Sequence, residues 1–431
     1  MSSVLETGRT AARARPKAGV NPIMDAERTI TELECRERTE RVKRFAREQG
    51  VGAVVAYSMN RYAIWNNTGH VGYIANWNNL DRMADCAIVI PVEGDPVLLY
   101  CGLPTLVPQI RRISWLEDVR QVSSPDPAAV TVNFTKSSDE PANSYGTLTD
   151  KILSERGLAG RQVALLTPAV VPHGVYVSFK RVLGDRLRED VVDIIAEMRA
   201  VKSPAEIALM RKAGEINDIG YEVLFKEAKA GRWGYQVVAK AIAAMRSQGA
   251  DYAHFWMRSC PHDSFGQILD QRPHDRLLEK GDQLEAGAYA VYAGYFVQSL
   301  RSGAIGRPNK TAAKIAGVIS DMVDACVSVT RVGLPAKDTV DAAAAVAERA
   351  GFHMPVRRVG HGEGLDYSEK PFVAETSDDI FQAGNTVEYH PNLDDPETGI
   401  VRLPLGECFA LTEKGVEPLT NFPRPPFIVP A

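Results

Sequence analysis

The first half of the chain alternates short apolar runs with amphipathic stretches, which predicts a domain of mixed helices and strands. Residues 25–50 place Leu33, Val42 and Phe45 at near-helical spacing among many charges, and this pattern predicts an amphipathic helix. VGAVVAYS predicts a buried strand, CAIVIPVEGDPVLLYCG two strands around a turn, and TDKILSERGLAGRQVALL a helix followed by a strand. We therefore expect an α/β domain with a mixed or parallel sheet over residues 25–195.

One stretch between the first predicted strands differs from the rest of this half. NRYAIWNNTGHVGYIANWNN, residues 60–79, is rich in Asn, Gly and aromatic residues. We interpret it as a functional loop or an irregular pair of strands. Its residues Tyr62, Trp65, Tyr73 and Trp77 are candidates to cap a pocket or to stack on a cation, and packing in the core is the alternative.

The second half of the chain changes to long helical periods and then to a group of strands. Ser203, Pro204 and Glu206 predict a helix start, with serine as N-cap, proline at the first helical position and an acid in the first turn. Further helices are predicted over about 233–248, 310–330 and 337–350, with strands in 281–306 and after 355. Because helices and strands come in separate runs, we expect an α+β domain over residues 196–431.

Composition and charge exclude several classes of protein. The chain has 431 residues, of which 45% are apolar and 24% are charged, and its net charge is −4. These values are typical of a soluble globular protein and give no basic surface for nucleic acid or a membrane. Since no apolar run reaches the roughly 18 residues that span a bilayer, we expect neither a nucleic-acid partner nor a membrane partner.

The cysteines and the N-terminus indicate the compartment. Six cysteines are scattered without a Cys-x-x-Cys pair, which argues against a disulfide framework and against a cysteine-based zinc site. We therefore expect reduced thiols and a cytoplasmic location. Residues 1–24 lack the apolar core of a secretory signal and are predicted to form an N-terminal arm.

The segment GDQLEAGAYAVYAGYFVQSLRSG, residues 281–303, predicts two strands joined by a turn. A pair of carboxylates on such a hairpin is a common way to hold divalent metal ions. After Glu285, however, the sequence contains no acid before Asn309. The hairpin therefore has the pattern of a metal-binding scaffold from which the acids are missing.

Five motifs follow one another through the second half: RAVKSPAEIALMRKAGEI, RLLEKGDQL, VGHGEGLDYSEKP, GNTVEYHPNL and LGECFALTEKGVEPLT. Together they resemble the pita-bread family, which includes creatinase, the proline-specific aminopeptidases and the prolidases. The similarity covers nearly the whole chain and is clearest over about 190–420. The resemblance implies a pita-bread domain in the second half, a creatinase-like α/β domain before it, and a homodimer.

The resemblance also assigns positions to the metal ligands of the family's peptidases. These peptidases are similar to one another in binding two metal ions through two Asp on the hairpin, the His of Gly-His-Gly and two Glu. His361 and Glu388 match two of these positions, whereas Gly287 and Gln298 stand at the two Asp positions and Gly406 at the final Glu. Two divalent ions repel each other and need several bridging oxygens, which this set does not supply. We therefore expect no metal and no other cofactor.

Creatinase, which has this fold and hydrolyses a C–N bond without metal, is the precedent within the family. Its resemblance implies a general base before the hairpin, where this chain has Asp270, with His274 four residues later. An imidazole titrates near neutral pH, whereas Asp270 needs a raised pKa for this role, and both residues stay candidates. His361, Glu388 and Glu407 are the groups predicted to bind and polarise the substrate.

Further residues are predicted to line the substrate site: Tyr295, Gln298, Arg301, His254 and Trp65. Tyr295 and Arg301 flank Gln298 on the hairpin, where an arginine can hold an anionic group, and a structural role for Arg301 is the alternative. His254 lies beside the predicted loop 252–275, and a purely structural role is its alternative as well. His390 follows the end of a predicted strand, and we interpret it as a loop residue.

These inferences predict a metal-independent, creatinase-like hydrolase that cleaves a C–N bond in a small polar molecule, such as an amide, an amidine or a ring-opened amino-acid derivative. Leu300 stands where creatinase has the Glu that holds its guanidinium group, so creatine is not the expected substrate. Three alternatives stay open. They are a lyase acting on a small zwitterion, a divergent Xaa-Pro metallopeptidase in which Glu285 replaces a ligand from the same strand face, and a non-catalytic peptide-binding module.

Overall fold

A computed structural model describes residues 30–59, 69–77, 85–102, 104–122, 143–262, 276–394, 396 and 401–430. The described chain divides into two compact units, of which the first ends at Val192 and the second begins at Asp193. Residues 1–24, predicted as an arm, lie outside the described part. None of the described helices combines the length and the low charge that a bilayer span requires.

The first unit is built on a six-stranded sheet of mixed direction. β1 is buried along its whole length, as the apolar run in VGAVVAYS predicts, and it pairs antiparallel with β2 and parallel with β5. The strand order is β4-β3-β2-β1-β5-β6. The strands are β1 Ala53–Ser58, β2 Asp85–Pro91, β3 Val97–Cys101, β4 Val119–Gln121, β5 Val163–Leu165 and β6 Leu187–Arg188. The helices are Glu32–Glu48, Gly69–Ala75, Val107–Ile113, Tyr145–Glu155 and His173–Leu183, with short 3-10 turns at Pro104–Leu106, Pro168–Val170 and Gly184–Arg186.

The α/β prediction for this half is confirmed, and the amphipathic helix predicted within 25–50 is observed as Glu32–Glu48, whereas the irregular strand pair is wrong. Leu33 is 68% exposed, because the buried stripe of the first helix runs through Cys35, Thr39, Val42 and Ala46, and Leu33 is out of phase with that spacing. The described part of the stretch 60–79 contains the helix Gly69–Ala75 rather than an irregular strand pair. Tyr73 and Trp77 are buried there, as core packing requires.

The helices of the second unit begin where the sequence places them. Ser203 Oγ accepts a hydrogen bond from the Glu206 N–H, and the Glu206 carboxylate accepts one from the Ser203 N–H at 2.8 Å. This reciprocal pair satisfies two helix-end donors and fixes the start of the helix Pro204–Glu227. The other helices are Ile194–Ala200, Gly234–Ser247, Lys310–Val329 and Asp338–Arg349.

Two main sheets form the second unit. The first has the order β17-β9-β8-β7 and the second has the order β11-β10-β12-β15-β16. An isolated bridge between Leu300 and Gly406, with hydrogen bonds of 3.0 Å in both directions, joins β9 to the start of β15. The strands are β7 Tyr252–Cys260, β8 Gln283–Tyr292, β9 Tyr295–Ile305, β10 Arg358–Gly362, β11 Glu369–Ala374, β12 Thr386–Tyr389, β13 Leu393–Asp394, β14 Val401–Arg402, β15 Glu407–Thr412, β16 Gly415–Pro418 and β17 Phe427–Val429.

Each main sheet has one face covered by helices. Asn217 and Tyr221 of the helix Pro204–Glu227 hydrogen-bond to backbone carbonyls of β8 and β9. In the second sheet, Val387 and Tyr389 join the apolar core formed with the helices Lys310–Val329 and Asp338–Arg349. The opposite faces of the two sheets, which carry the residues between these positions, are therefore free to form a site.

Candidate functional site

The hairpin β8–β9 presents one row of residues on the face away from the helix Pro204–Glu227. In this row Tyr289 lies opposite Gln298, and Gly287 lies opposite Leu300. The neighbouring strand β7 adds Trp256, which lies opposite Gly287. Directly opposed residues share a face, so these side chains form one wall of a pocket.

His361 and Glu388 form the centre of the pocket. They lie directly opposite each other on β10 and β12, and neither is exposed to solvent. The His361 Nε2 atom is 3.8 Å from the Glu388 Oε2 atom. The two residues that the sequence predicts to share a site are thus in contact distance of one another.

His390 joins this pair, although the sequence analysis treats it as a loop residue. Its ring centroid is 5.2 Å from that of His361. One ring nitrogen of each histidine and one carboxylate oxygen of Glu388 lie within 4.8 Å of one another. The sequence signal that could have placed His390 in the pocket is its spacing, because a residue two positions after Glu388 lies on the same side of an extended chain.

The electrostatics of the pocket keep both imidazoles neutral. His361 Nδ1 is 3.0 Å from the Gly362 carbonyl, so Nδ1 carries the proton and Nε2 presents a lone pair. Burial lowers the pKa of His361 well below its usual value, and burial together with the Arg358 charge lowers the pKa of His390 to about 4. Burial, and then the charge of Glu363, raises the pKa of Glu388 well above its usual value.

Glu363 is a fully buried acid that the sequence analysis missed. Both of its carboxylate oxygens accept the backbone N–H of Gln298, at 3.1 and 3.0 Å, and the Cys408 thiol also donates to it. Burial raises its pKa to about 8. An acid directly after Gly-His-Gly is the sequence signal that could have found it, because a buried carboxyl is costly unless it has a role.

Several buried polar atoms around this centre have no hydrogen-bond partner in the described part of the chain: Gln298 Oε1, His361 Nε2, both carboxylate oxygens of Glu388, and His390 Nε2. Buried polar atoms in folded proteins nearly always have a partner. Gln298 Oε1 and His361 Nε2 are acceptors, Glu388 with its raised pKa can hold a proton, and neutral His390 carries a proton on one of its two ring nitrogens. These atoms are therefore available to hydrogen-bond with a substrate or with water in the pocket.

The pocket does not fit the pair of metal ions that the resemblance implies for peptidases of this fold. A Cβ atom at Gly287 would lie 2.1 Å from Trp256 Nε1, so the indole fills the space in which the first Asp would stand. A Cβ atom at Gly406 would lie 2.5 Å from Glu388 Oε1. Gln298 offers only a neutral oxygen at the third position. The spaces of two carboxylate ligands are thus taken by other side chains.

Glu285, the residue expected to replace a ligand in the metallopeptidase alternative, is not free to bind a metal ion. Its Oε1 atom accepts from Arg402 Nε at 2.7 Å, and its Oε2 atom accepts from Arg258 Nη2 at 2.7 Å. Both guanidinium groups are buried with it. Because each oxygen is bound to an arginine, the carboxylate is part of an internal ion triad rather than a ligand set.

Arg301 and Tyr295 do not line the pocket, contrary to expectation. Strand alternation puts both on the face opposite Gln298, towards the helix Pro204–Glu227. The Arg301 guanidinium donates to the carbonyls of Gly406 and Phe422, at 2.8 and 2.7 Å. The Tyr295 hydroxyl donates to Glu206 at 2.9 Å. Both side chains have structural roles.

Glu407 is also placed wrongly by the sequence analysis. Cys408 lies opposite Glu388 on β15, so Glu407 points to the other face of that strand. Its Oε2 atom accepts from Arg424 Nη2 at 2.8 Å, and its Oε1 atom is 3.3 Å from Arg301 Nη2. The carboxylate therefore ties β15 to the C-terminal segment and does not reach the substrate pocket.

Of the four other residues predicted to belong to the site, the structure describes only one. His254 lies opposite Tyr289 on the pocket face, with ring centroids 5.8 Å apart, and burial lowers its pKa. His274, Asp270 and Trp65 lie outside the described residues, so their roles stay predictions.

Comparison with known proteins agrees with this architecture. A model of metallopeptidase family M24 matches residues 208–412. The chain is 29% identical over 258 residues to the uncharacterized peptidase YqhT of Bacillus subtilis, which covers 58% of this chain and 71% of that protein. It is 26% identical over 262 residues to an Xaa-Pro dipeptidase of Pyrococcus horikoshii, in an alignment that covers 59% of this chain and 72% of that protein.

Solved structures share the fold at lower identity. The dipeptidase PepE from Mycobacterium ulcerans aligns with a TM-score of 0.73 and 21% identity, over 94% of this chain and 100% of that one. The prolidase from Pyrococcus horikoshii aligns with a TM-score of 0.72 and 19% identity, over 91% of this chain and 100% of that one. The X-Pro aminopeptidase from Thermotoga maritima aligns with a TM-score of 0.71 and 20% identity, over 91% and 99%.

Proposed function

Because this chain belongs to the pita-bread family, whose named relatives are peptidases, we propose that it hydrolyses a C–N bond without the pair of metal ions. The reaction takes place in the pocket around His361 and Glu388. The substrate is a small polar molecule, such as an amide, an amidine or a ring-opened amino-acid derivative. Leu300 is buried on the pocket face, where it provides no carboxylate for a guanidinium group, and this supports a substrate other than creatine.

The observation that carries the proposal is the loss of ligand positions together with the filling of their space. Gly287 and Gly406 have no side chain, and Trp256 and Glu388 occupy the positions in front of them. The Trp256 indole is itself held by a hydrogen bond of 3.2 Å to the Tyr289 hydroxyl. A protein that had lost only its ligands would leave space there, whereas this pocket has been rebuilt around other groups.

Hydrolysis of a C–N bond needs a water oxygen to attack carbon and a proton to reach the departing nitrogen. The lone pair of His361 Nε2 accepts a hydrogen bond from the substrate and orients it. Glu388, whose pKa is raised by burial, holds a proton that can pass to the departing nitrogen. Activation of the water is assigned to His274 or Asp270, as the sequence predicts. The products are a carbonyl compound and a free amine or ammonia.

Turnover measurements on a panel of small amides, amidines and dipeptides test the proposal, with release of amine or ammonia as the readout. His361→Ala and Glu388→Gln are expected to lower turnover by about 10²-fold or more, because both remove groups that face the substrate. His353→Ala is the matched control, since His353 has a side chain that is 75% exposed. Equal turnover in all three variants would contradict the assignment of the site.

A further inference from the structure

A buried tyrosine, Tyr289, lies on the pocket wall opposite Gln298 and is only 2% exposed. Its hydroxyl oxygen accepts a hydrogen bond of 3.2 Å from Trp256 Nε1. We propose that Tyr289 is a catalytic residue, whose hydroxyl donates a hydrogen bond to the carbonyl oxygen of an amide substrate and stabilises the negative charge that forms there when water attacks. This inference rests on the proposed function, because it assigns a residue and a substrate class, the carboxamides, to the same reaction.

The Tyr289 hydroxyl lies beside the space of a missing carboxylate. Its donor, Trp256 Nε1, would be 2.1 Å from a Cβ atom at Gly287. On the other side, the Tyr367 ring contacts the rings of both Tyr289 and His361, with centroid distances of 5.4 and 5.0 Å. The hydroxyl therefore belongs to the same pocket as the imidazole of His361.

The hydrogen bonds around Tyr289 direct its own hydrogen away from its neighbours. Burial raises the pKa of Tyr289, so the hydroxyl keeps its hydrogen at neutral pH, whereas the hydrogen bonds with Trp256 and Tyr367 both lower that pKa. A lowered pKa is the effect of a donor on the oxygen, and an indole N–H can only donate. The Tyr289 oxygen therefore accepts two hydrogen bonds, and its O–H points to a third partner.

The acceptors of the pocket do not take this hydrogen. Gln298 Oε1, His361 Nε2 and both Glu388 oxygens are buried without a hydrogen-bond partner in the described ranges. The pocket thus combines one oriented donor, on Tyr289, with two acceptors, on Gln298 and His361. A carboxamide fits this combination, because its carbonyl oxygen accepts and its N–H groups donate, whereas an amidine has no oxygen.

An oriented donor stabilises the charge that forms during the attack of water. The water oxygen bonds to the carbonyl carbon, the water proton passes to the general base, and the π electron pair moves onto the carbonyl oxygen, which the Tyr289 hydroxyl holds. When this pair returns, the C–N bond breaks, and the nitrogen leaves with the proton of Glu388. The two hydrogen bonds that Tyr289 accepts polarise its hydroxyl and make it a stronger donor. One such donor contributes about 10²–10³-fold in rate.

Tyr289→Phe removes the hydroxyl and keeps the ring. With an amide that the wild-type protein turns over, kcat should fall by about 10²–10³-fold while KM changes by less than about threefold, because the bond is strongest in the transition state. Tyr235→Phe is the matched control, since Tyr235 is 43% exposed on the helix Gly234–Ser247. A folded Tyr289→Phe protein that keeps more than about a third of the wild-type kcat would overturn the inference.

A second measurement needs no turnover. The carbonyl stretching band of isotopically labelled acetamide bound to the full-length protein is recorded by difference infrared spectroscopy, because a hydrogen bond to the oxygen moves this band to lower wavenumber. The band should lie at lower wavenumber in the wild type than in Tyr289→Phe, and Tyr235→Phe should match the wild type. A difluorotyrosine at position 289 keeps the hydroxyl and makes it a stronger donor, so the band should move further in the same direction even if Tyr289→Phe does not fold.

An unchanged carbonyl band in the folded variants at position 289 would overturn the inference, as would a wild-type protein that does not bind acetamide. A purely structural role, in which Tyr289 only supports Trp256, predicts such an unchanged band together with lower stability. A shifted band in a protein without turnover would remove the proposed function and keep the inference. Turnover that Tyr289→Phe leaves unchanged would keep the proposed function and remove the inference.

Discussion

Gly287→Ala tests whether Trp256 has taken the space of the missing carboxylate. The added Cβ would lie 2.1 Å from Trp256 Nε1 and 2.4 Å from Cε2, distances at which the indole has to move. The movement breaks the hydrogen bond to the Tyr289 hydroxyl, which costs about 0.5–1.5 kcal/mol, and overpacking of this kind costs about 1–3 kcal/mol. A strand alanine otherwise gains about 0.5–1 kcal/mol over glycine, so we expect a net loss of about 0.5–4 kcal/mol.

The measurement is urea denaturation followed by fluorescence and circular dichroism, with Gly317→Ala as the matched control. Gly317 lies in the helix Lys310–Val329 with no atom within 4 Å of an added Cβ, so alanine there should stabilise the protein by up to about 1 kcal/mol. In a Trp256→Ala background, Gly287→Ala should cost nothing. A Gly287→Ala protein within about 0.5 kcal/mol of wild type would refute the packing argument, as would an equal cost in both backgrounds.

Three further predictions concern neighbouring groups. Glu407→Gln should lower the free energy of unfolding by about 3 kcal/mol, because it breaks a buried ion pair. Turnover per folded molecule should stay close to that of the wild type, because the ion pair lies outside the pocket. A large loss of turnover at unchanged stability would show that Glu407 belongs to the functional site after all. Because the pKa of Glu363 is raised to about 8, its contribution to stability is complete below about pH 4.5 and is lost as the pH rises through about 8. The free energy of unfolding should therefore fall across that range in the wild type, and it should fall less steeply in Glu363→Gln. Parallel pH profiles of the two proteins would contradict this. Of His274→Ala and Asp270→Asn, one should lose about 10²–10⁴ in turnover with the fold intact, and two variants that keep more than about a third of wild-type turnover would leave the water without its base.

The fold could be predicted from the sequence because its signals are local. Ser203 and Glu206 define a helix start by themselves, and the observed capping pair needs no distant contact. The hairpin is equally local, since β8 and β9 are joined by a two-residue turn at Ala293 and Gly294, both with positive φ. The ordered motifs then identify the family from the same residues.

The site was predicted less well because it depends on which face each strand residue occupies. Arg301 and Glu407 are close in sequence to pocket residues, but alternation turns both side chains away. His390 and Glu363 reach the centre only because β10 and β12 pair in one register. The filling of the space at Gly287 depends on Trp256 from a third strand, which no spacing along the sequence indicates.

Metal content, measured together with turnover, tests the central claim most directly. The purified protein is dialysed, its manganese, iron, cobalt and zinc are measured by elemental analysis, and turnover is compared before and after treatment with a chelator. The account predicts much less than one equivalent of metal per chain and unchanged turnover, because the ligand positions at Gly287 and Gly406 are empty of donors and their space is filled. One to two equivalents of metal, with activity lost to the chelator and restored by the metal, would contradict it.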